Sequence, residues 1–198
     1  MGRTREAAVA GAVRSVAKYG ARKSTMGDIA MLAGIAKATL YNHFRTKPEV
    51  YAATVAAEVD AIAAAANERL AQGIDAVLAE AARLVGQHPA VRKIAAGEPE
   101  TLAALATIGD ATAWKAAHDH VAAAIRAAGL NDAPASVDLV LRYLASQLLT
   151  PSDDAARAAE ARLIGSALHA AHRLVPAQAG SSDTSTSLDP APPSHPTA

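Results

Sequence analysis

Alanine is the residue that most constrains the fold of this chain. It occupies 54 of the 198 positions, whereas phenylalanine, tryptophan and tyrosine together make up only 3%. Alanine has the highest helix propensity of the amino acids, and strands are instead enriched in aromatic and β-branched residues. The composition therefore favours an all-α fold and argues against a β-sandwich or a β-barrel.

Several other classes of protein are also disfavoured. The sequence contains no cysteine, which excludes disulfide-stapled folds, thiol nucleophiles and thiolate metal sites. No run of about 18 apolar residues is free of charge, as a transmembrane helix requires. No apolar stretch with a cleavage site follows the N-terminus to form a signal peptide. We therefore expect a soluble, cytoplasmic, all-helical protein with no membrane partner.

The charges are distributed unevenly along a chain whose formal net charge is zero. Residues 1–50 carry nine lysines and arginines against three acidic residues, a net charge of +6. Residues 51–175 carry ten basic against fourteen acidic residues, a net charge of −4. A compact basic region on an acidic body suggests a polyanion partner. On charge alone, a solvated charged face is an equally good interpretation.

Four helices are predicted at the start of the chain from apolar periodicity and capping residues. Gly20 and Gly34 should end the first two, since glycine readily adopts the left-handed conformation that follows many helices. Thr25 and Thr46 each precede an acidic residue by three positions, which is the spacing of a helix N-terminal cap. The four helices are expected at about residues 3–19, 25–33, 37–43 and 46–72.

The remaining sequence predicts a series of helices followed by a disordered tail. Glycine, proline and aspartate separate the helices, which are expected at about residues 74–86, 89–96, 99–107, 111–128, 135–149 and 153–174. From residue 176 the sequence is rich in serine, threonine and proline and has almost nothing to bury. The predicted organisation is a three-helix domain at 1–50, a helical domain at 51–175 and a disordered tail at 176–198.

Residues 25–44 have the pattern of a helix-turn-helix, because two short helices are joined by a tight glycine turn. In such a unit the second helix, here beginning at Lys37, is presented to the major groove of DNA. Leu40 and Phe44 should point inward, which leaves the other side chains of this helix largely free. None of them is acidic, so none repels the phosphate backbone.

The residues of this unit resemble those of a known family. Asp28-Ile29-Ala30, the uninterrupted run AGIAKATLYNHF from Ala33 to Phe44, and Lys47 are similar to the DNA-binding domain of the tetracycline-repressor-like (TetR) family. The close resemblance covers about residues 6–52. It implies an all-helical, sequence-specific DNA-binding transcription regulator that is not an enzyme and needs no cofactor.

The resemblance also implies roles for individual residues and a double-stranded DNA operator as partner. It places Thr25, Tyr41, His43 and Lys47 against phosphates and Lys37, Ala38, Thr39 and Asn42 near base edges. By their chemistry, asparagine can pair with adenine, lysine can reach guanine, and a small side chain can touch the methyl group of thymine.

A homodimer is expected, because a single three-helix domain contacts only half of an operator and two linked domains bind far more tightly. The last helix has small residues along one face, and the helix before it has a stripe of valine and leucine. Both resemble the four-helix dimer interface of the family, whose candidate residues here are Val140, Leu144, Ala159, Leu163, Ser166 and Ala170. Ordinary packing of these helices within one chain is the alternative.

The resemblance further implies that the helical domain senses a small-molecule effector. Two pairs of residues at i,i+4 spacing are candidates for its cavity, Trp114 with His118 and Tyr143 with Gln147. The alternative is that Trp114 only fills space in an alanine-rich core. No metal site is predicted, because the histidines at 118 and 120 face different sides of a helix and those at 169 and 172 lack further ligands.

The expected mechanism is a ligand-driven shift between conformations. The fourth helix begins beside the DNA and ends in the helical domain, so that a ligand there could move the two DNA-binding domains and release a palindromic operator. Repression with ligand-induced release is the expected function. A DNA-binding regulator without a small-molecule effector, or an activator, is the alternative. A helical enzyme is the most remote one, since no nucleotide-binding or hydrolase motif is present.

Overall fold

The computed structural model describes residues 2–107, 109 and 112–174. Within this part the chain forms ten α-helices and one short 3-10 turn, with no strand, which confirms the all-α prediction. The helices are α1 (Arg3–Tyr19), α2 (Met26–Ala33), α3 (Lys37–His43), α4 (Lys47–Asn67), α5 (Ile74–Gln87), α6 (Pro89–Gly97), α7 (Pro99–Ala106), α8 (Thr112–Ala127), α9 (Pro134–Leu149) and α10 (Asp154–Leu174). None of the described helices is long and apolar enough to cross a membrane. The tail predicted to be disordered, residues 176–198, lies outside the described residues.

The local signals of the first helices act as predicted. At the start of α2 the Thr25 hydroxyl accepts a hydrogen bond from the backbone N–H of Asp28, while the Asp28 carboxylate accepts one from the N–H of Thr25 at 2.9 Å. Gly34 ends α2 with φ +69°, a left-handed conformation that favours glycine. α4 is shorter than predicted: it ends at Asn67, and a 3-10 turn then places Leu70 against the core.

Helices α1 to α3 and the start of α4 form a small unit, called the head below. Its core contains the buried side chains Ala8, Ala12, Met26, Ile29, Ala30, Leu40, Phe44 and Val50. α1 and α2 approach closely at Gly11, where an added Cβ would lie 2.6 Å from the Cβ of Ala33 and 2.7 Å from the carbonyl oxygen of Ile29. The Arg14 guanidinium also donates to the carbonyl oxygen of Leu32 at 2.6 Å. α2 is therefore held tightly on α1, and α3 follows it.

The rest of α4 and helices α5 to α10 form the body. Its core lies between α4, α5, α8, α9 and α10 and is built mostly from alanine, valine, leucine and isoleucine. α10 packs on α5, where Gly165 lies against Ile74 and Asp75. A separate cluster joins head and body: Val16 and Ala21 pack with Ala90, Val91, Ile94 and Leu102 of α6 and α7. The head therefore contacts the body directly and not only through α4.

The N-terminus of α3 offers a test of local stability. Ala36 occupies the N-cap position with φ −64° and ψ 143°, and its methyl group cannot accept a hydrogen bond. Serine at this position would accept one from an exposed N–H of the first turn, which is worth about 1 kcal/mol. We expect Ala36→Ser to raise Tm by about 2–4 °C in a chain of this length, as measured by circular dichroism. Ala38→Ser, inside the helix, is the control and should not raise Tm. An unchanged Tm for Ala36→Ser would contradict this account of the cap.

Candidate functional site

The outer face of α3 is the most exposed polar surface of the head. Leu40 is fully buried and Phe44 is 2% exposed, so that both point inward as predicted. The side chains of Lys37, Ala38, Tyr41, Asn42 and His43 are exposed, and that of Thr39 is half-buried. We call these six residues the α3 surface. Hydrogen-bonding groups and a positive charge on an exposed helix are suited to contact the base edges of DNA.

Tyr41 is the large aromatic side chain of this surface and is 44% exposed. The Nζ atom of Lys37, one turn earlier, lies 6.0 Å from the centroid of its ring. The Tyr41 ring is not needed to fill the core of the head, because Leu40 and Phe44 already fill the inner side of α3. The pair is suited to contact the sugar–phosphate backbone, where a hydroxyl and a cation both bind phosphate oxygens.

Thr25 uses its hydroxyl within the head. The hydroxyl donates to the Asp28 carboxylate at 2.6 Å in addition to capping α2. These hydrogen bonds from Thr25 hold the pKa of the Asp28 carboxyl below its usual range. The N-terminus of α2 is therefore capped by Thr25 and Asp28, and the contact of Thr25 with a DNA phosphate stays a prediction.

Lys47 is also engaged inside the protein. Its ammonium group donates to three carbonyl oxygens of the α1–α2 loop, residues 20–25. These are the oxygens of Ala21 at 3.1 Å, Arg22 at 3.2 Å and Ser24 at 3.0 Å. An ammonium group has three N–H donors, so all of them are used. Lys47 thus fastens the start of α4 to this loop, and its contact with a DNA phosphate stays a prediction.

The same loop is bound from the body by Glu98, which lies between α6 and α7 and is 7% exposed. Its two carboxylate oxygens accept from the backbone N–H of Arg22 at 3.1 and 3.2 Å. Tyr51 of α4 donates its hydroxyl to the carbonyl oxygen of Ala21 at 2.8 Å, and burial raises the pKa of this phenol. The loop thus receives contacts from the α6–α7 junction of the body and from α4, the helix that continues from the head into the body.

A cavity of about 630 Å³ lies in the body and extends to this junction. Pockets of about 300–1,000 Å³ are typical of small-molecule sites. Its wall includes Val13, Val16 and Ala21 of the head, together with many apolar side chains of α4, α5, α8 and α9. A molecule bound here would touch both the body core and the elements that hold the α1–α2 loop.

Few polar side chains reach the wall of this cavity. The most prominent are Glu58 of α4 and His88, whose Nε2 atom lies 2.9 Å from the Glu58 carboxylate. His120 lines the cavity as well, and its Nε2 atom is 2.8 Å from the carboxylate of Asp60. No lysine or arginine is found among the described residues of the wall, and Glu58 is the one acidic residue there.

Residues 8–54 match the sequence model of the family described as "Bacterial regulatory proteins, tetR family". This matched region spans most of the head, including the helix-turn-helix formed by α2 and α3. The head is thus similar to the DNA-binding domain of bacterial regulators of this family. A crystal structure of the TetR family repressor AlkX from Dietzia sp. strain DQ12-45-1b, implicated in biodegradation of n-alkanes, is similar in fold. The TM-score is 0.66 at 17% sequence identity, covering 84% of this chain and 95% of that one. No curated protein matches the chain.

The residues predicted to bind an effector are only partly brought together. Trp114 lines the cavity, but His118, Tyr143 and Gln147 do not. His118 is exposed, with its Nδ1 atom 3.5 Å from the carboxylate of the adjacent Asp119. The i,i+4 spacing predicts that each pair shares a helix face, but it does not tell which residues meet the cavity.

Tyr143 and Gln147 lie on another face of α9. Burial raises the pKa of Tyr143 to about 12. The Gln147 side chain, 2% exposed, accepts from the backbone N–H of Ser152 at 2.9 Å and bonds to Glu160 of α10. Both are structural residues of the α9–α10 packing. The residues of α9 that line the cavity are Val140, Leu141, Leu144 and Leu148.

The predicted dimer residues divide into two groups. Ala159, Leu163 and Ser166 are exposed along α10, with Leu163 72% exposed, and Ala170 is half-buried. Val140 and Leu144 were predicted wrongly, because both face the inside of the protomer, where each lines the cavity. The large apolar residues of α9 that are exposed are instead Leu139 and Leu149.

Three functional candidates were missed from the sequence, namely Glu58, His88 and Glu98. Glu98 contacts a residue 76 positions away, and Glu58 contacts one 30 positions away. No local pattern marks such pairs. Within the described chain, no three histidine or acidic residues lie close enough together to form a cluster of metal ligands.

Proposed function

We propose that this protein is a homodimeric repressor that leaves a palindromic operator when a small molecule fills the body cavity. Residues 1–50 would form the DNA-binding domain and residues 51–175 the effector-binding and dimerisation domain, with the protein acting on the chromosome in the cytoplasm. The observation that carries the proposal is the shared wall of the cavity, to which the head contributes Val13, Val16 and Ala21.

DNA binding would use the α3 surface. Lys37, Ala38, Thr39 and Asn42 are in a position to meet base edges, and Tyr41 and His43 to meet phosphates. Thr25 and Lys47 support this surface by capping α2 and by fastening α4 to the α1–α2 loop. Lys47 would still contribute its positive charge to the field that attracts DNA.

Release would follow from the contacts at the α1–α2 loop. A ligand that prefers a wider cavity would displace α4 and the α6–α7 junction, which hold the loop through Lys47, Tyr51 and Glu98. The head would then rotate relative to the body. In a dimer this changes the distance between the two α3 surfaces, so that they no longer fit half-sites one helical turn apart.

The DNA-binding part of the proposal is tested by selecting bound fragments from a random duplex library. A palindrome should be enriched, with half-sites in successive major grooves. In the Asn42→Ala variant, discrimination at one base pair of each half-site should fall by about 1–3 kcal/mol. Tyr41→Ala should instead weaken all sequences about equally, and each variant is thus the control for the other. Enrichment of no sequence would contradict the proposal.

A further inference from the structure

The chemistry of the cavity wall points to a class of ligand. We propose that the cavity binds an apolar molecule that carries one positive charge, such as a protonated amine or a quaternary ammonium on an alkyl or aryl body. This inference rests on the proposed function, because it specifies the effector of that same cavity.

Glu58 provides the negative charge that such a ligand would meet. It is the one acidic residue among the described residues of the wall, which include no lysine or arginine to neutralise it. Its side chain is 32% exposed, so a molecule in the cavity can reach the carboxylate. Asp60, two positions later on α4, is 61% exposed and is paired with His120 instead.

A neutral His88 would orient this carboxylate without removing its charge. Its Nε2 atom is 2.9 Å from Glu58, and its buried Nδ1 atom has no hydrogen-bond partner among the described residues. A neutral imidazole has a single N–H, which it would donate to the carboxylate through Nε2. The pair then keeps one negative charge. An apolar wall strengthens the attraction to a cation and the repulsion of an anion compared with water.

An aromatic side chain on the same wall also favours a cation. Trp114 lines the cavity, and aromatic ring faces attract ammonium groups. Tyr51 lines the cavity as well, but the Lys47 ammonium already lies 5.6 Å from the centroid of its ring. Tyr51 lies two helical turns before Glu58 on α4, about 10 Å along the axis. A ligand can therefore place its charge at Glu58 while its apolar part follows the valine, leucine and alanine side chains that make up the rest of the wall.

The experiment uses the full-length protein and three probes built on a twelve-carbon chain: dodecyltrimethylammonium and dodecanoate below their critical micelle concentrations, and dodecanol below its solubility limit. Trp114 is the only tryptophan of the chain and lines the cavity, so its fluorescence reports binding directly. We expect the cation to bind more tightly than dodecanol, and dodecanoate to bind most weakly. This ranking is measured in the unmodified protein and does not depend on any variant.

A pair of variants then tests the role of Glu58. Glu58→Gln should weaken binding of the cation by about ten- to a hundredfold, the range for losing a charge-assisted contact, while dodecanol binding stays within about twofold. Retained dodecanol binding shows that the cavity is intact. Asp60→Asn removes an acid from the same helix but not from the wall, and should leave the cation's affinity unchanged.

Release of operator DNA by each probe separates the inference from the function on which it rests. If dodecanoate or dodecanol binds more tightly than the cation and releases DNA, the ligand class is wrong and ligand-induced release stands. An unchanged affinity of Glu58→Gln for the cation also overturns the ligand class. If the cation binds through Glu58 and operator binding is unaffected, the ligand class is supported, and the proposed release is wrong.

Discussion

Replacing Leu163 with glutamate is expected to convert the protein to a monomer and to lower its affinity for a full operator by about a hundredfold or more. Linking two binding units raises the combined affinity by about 10²–10⁴ over a single one, and this gain is lost with the dimer. Leu163 is 72% exposed on a face of α10 that includes the small residues Ala159 and Ser166. In a two-fold interface each carboxylate would be brought toward its own copy in apolar surroundings.

The mass in solution by analytical ultracentrifugation and the affinity for full and half operators by fluorescence anisotropy measure this effect. Affinity for a half-site should not change, because α10 is not part of the head. Met31→Glu, which introduces the same charge at an exposed apolar residue of α2, should remain dimeric. If Leu163→Glu keeps the mass of a dimer, the outer face of α10 is not the interface.

The head could be predicted closely because its signals are local. Thr25 and Asp28 stand three residues apart, and Gly34 requires only its own left-handed conformation. Such features act through hydrogen bonds and dihedral angles within one helical turn. The spans of α1 and α3 were therefore predicted to the residue. The end of α4 was predicted five residues too late because it depends on Leu70 packing on the distant body core.

The candidate sites of the body could not be predicted in the same way, because helix periodicity defines faces but not their partners. On α9 the stripe containing Val140 and Leu144 was predicted to contact a second protomer. In the structure these side chains line the protomer's own cavity and pack on its own core. Charged residues at long range were missed for the same reason. Glu98 holds the α1–α2 loop by accepting hydrogen bonds from the backbone N–H of Arg22. Because every residue except proline has a backbone N–H, the sequence does not mark this partner.

Replacing Gly11 with alanine is expected to destabilise the protein by about 1–3 kcal/mol, the usual effect of inserting a group into a packed contact. The added Cβ would lie 2.6 Å from the Cβ of Ala33, 2.7 Å from the carbonyl oxygen of Ile29 and 2.8 Å from the backbone nitrogen of Ala33. Two of these three atoms belong to the backbone of α2 and cannot rotate away as the end of a side chain can. The helices must therefore separate.

Gly27→Ala is the matched control, since it makes the same change in α2. A Cβ at Gly27 would meet only the Thr25 hydroxyl, at an ordinary 3.6 Å. Alanine is favoured over glycine in helices by about 0.5–1 kcal/mol, so Tm should stay unchanged or rise. For Gly11→Ala we expect Tm to fall by about 2–12 °C in thermal denaturation. Operator affinity should fall as well, because α3 is joined to α2 by a short turn and would shift when α2 moves. A Gly11→Ala protein as stable as Gly27→Ala would show that the α1–α2 contact is loose, and α3 would then not be held in place by close packing.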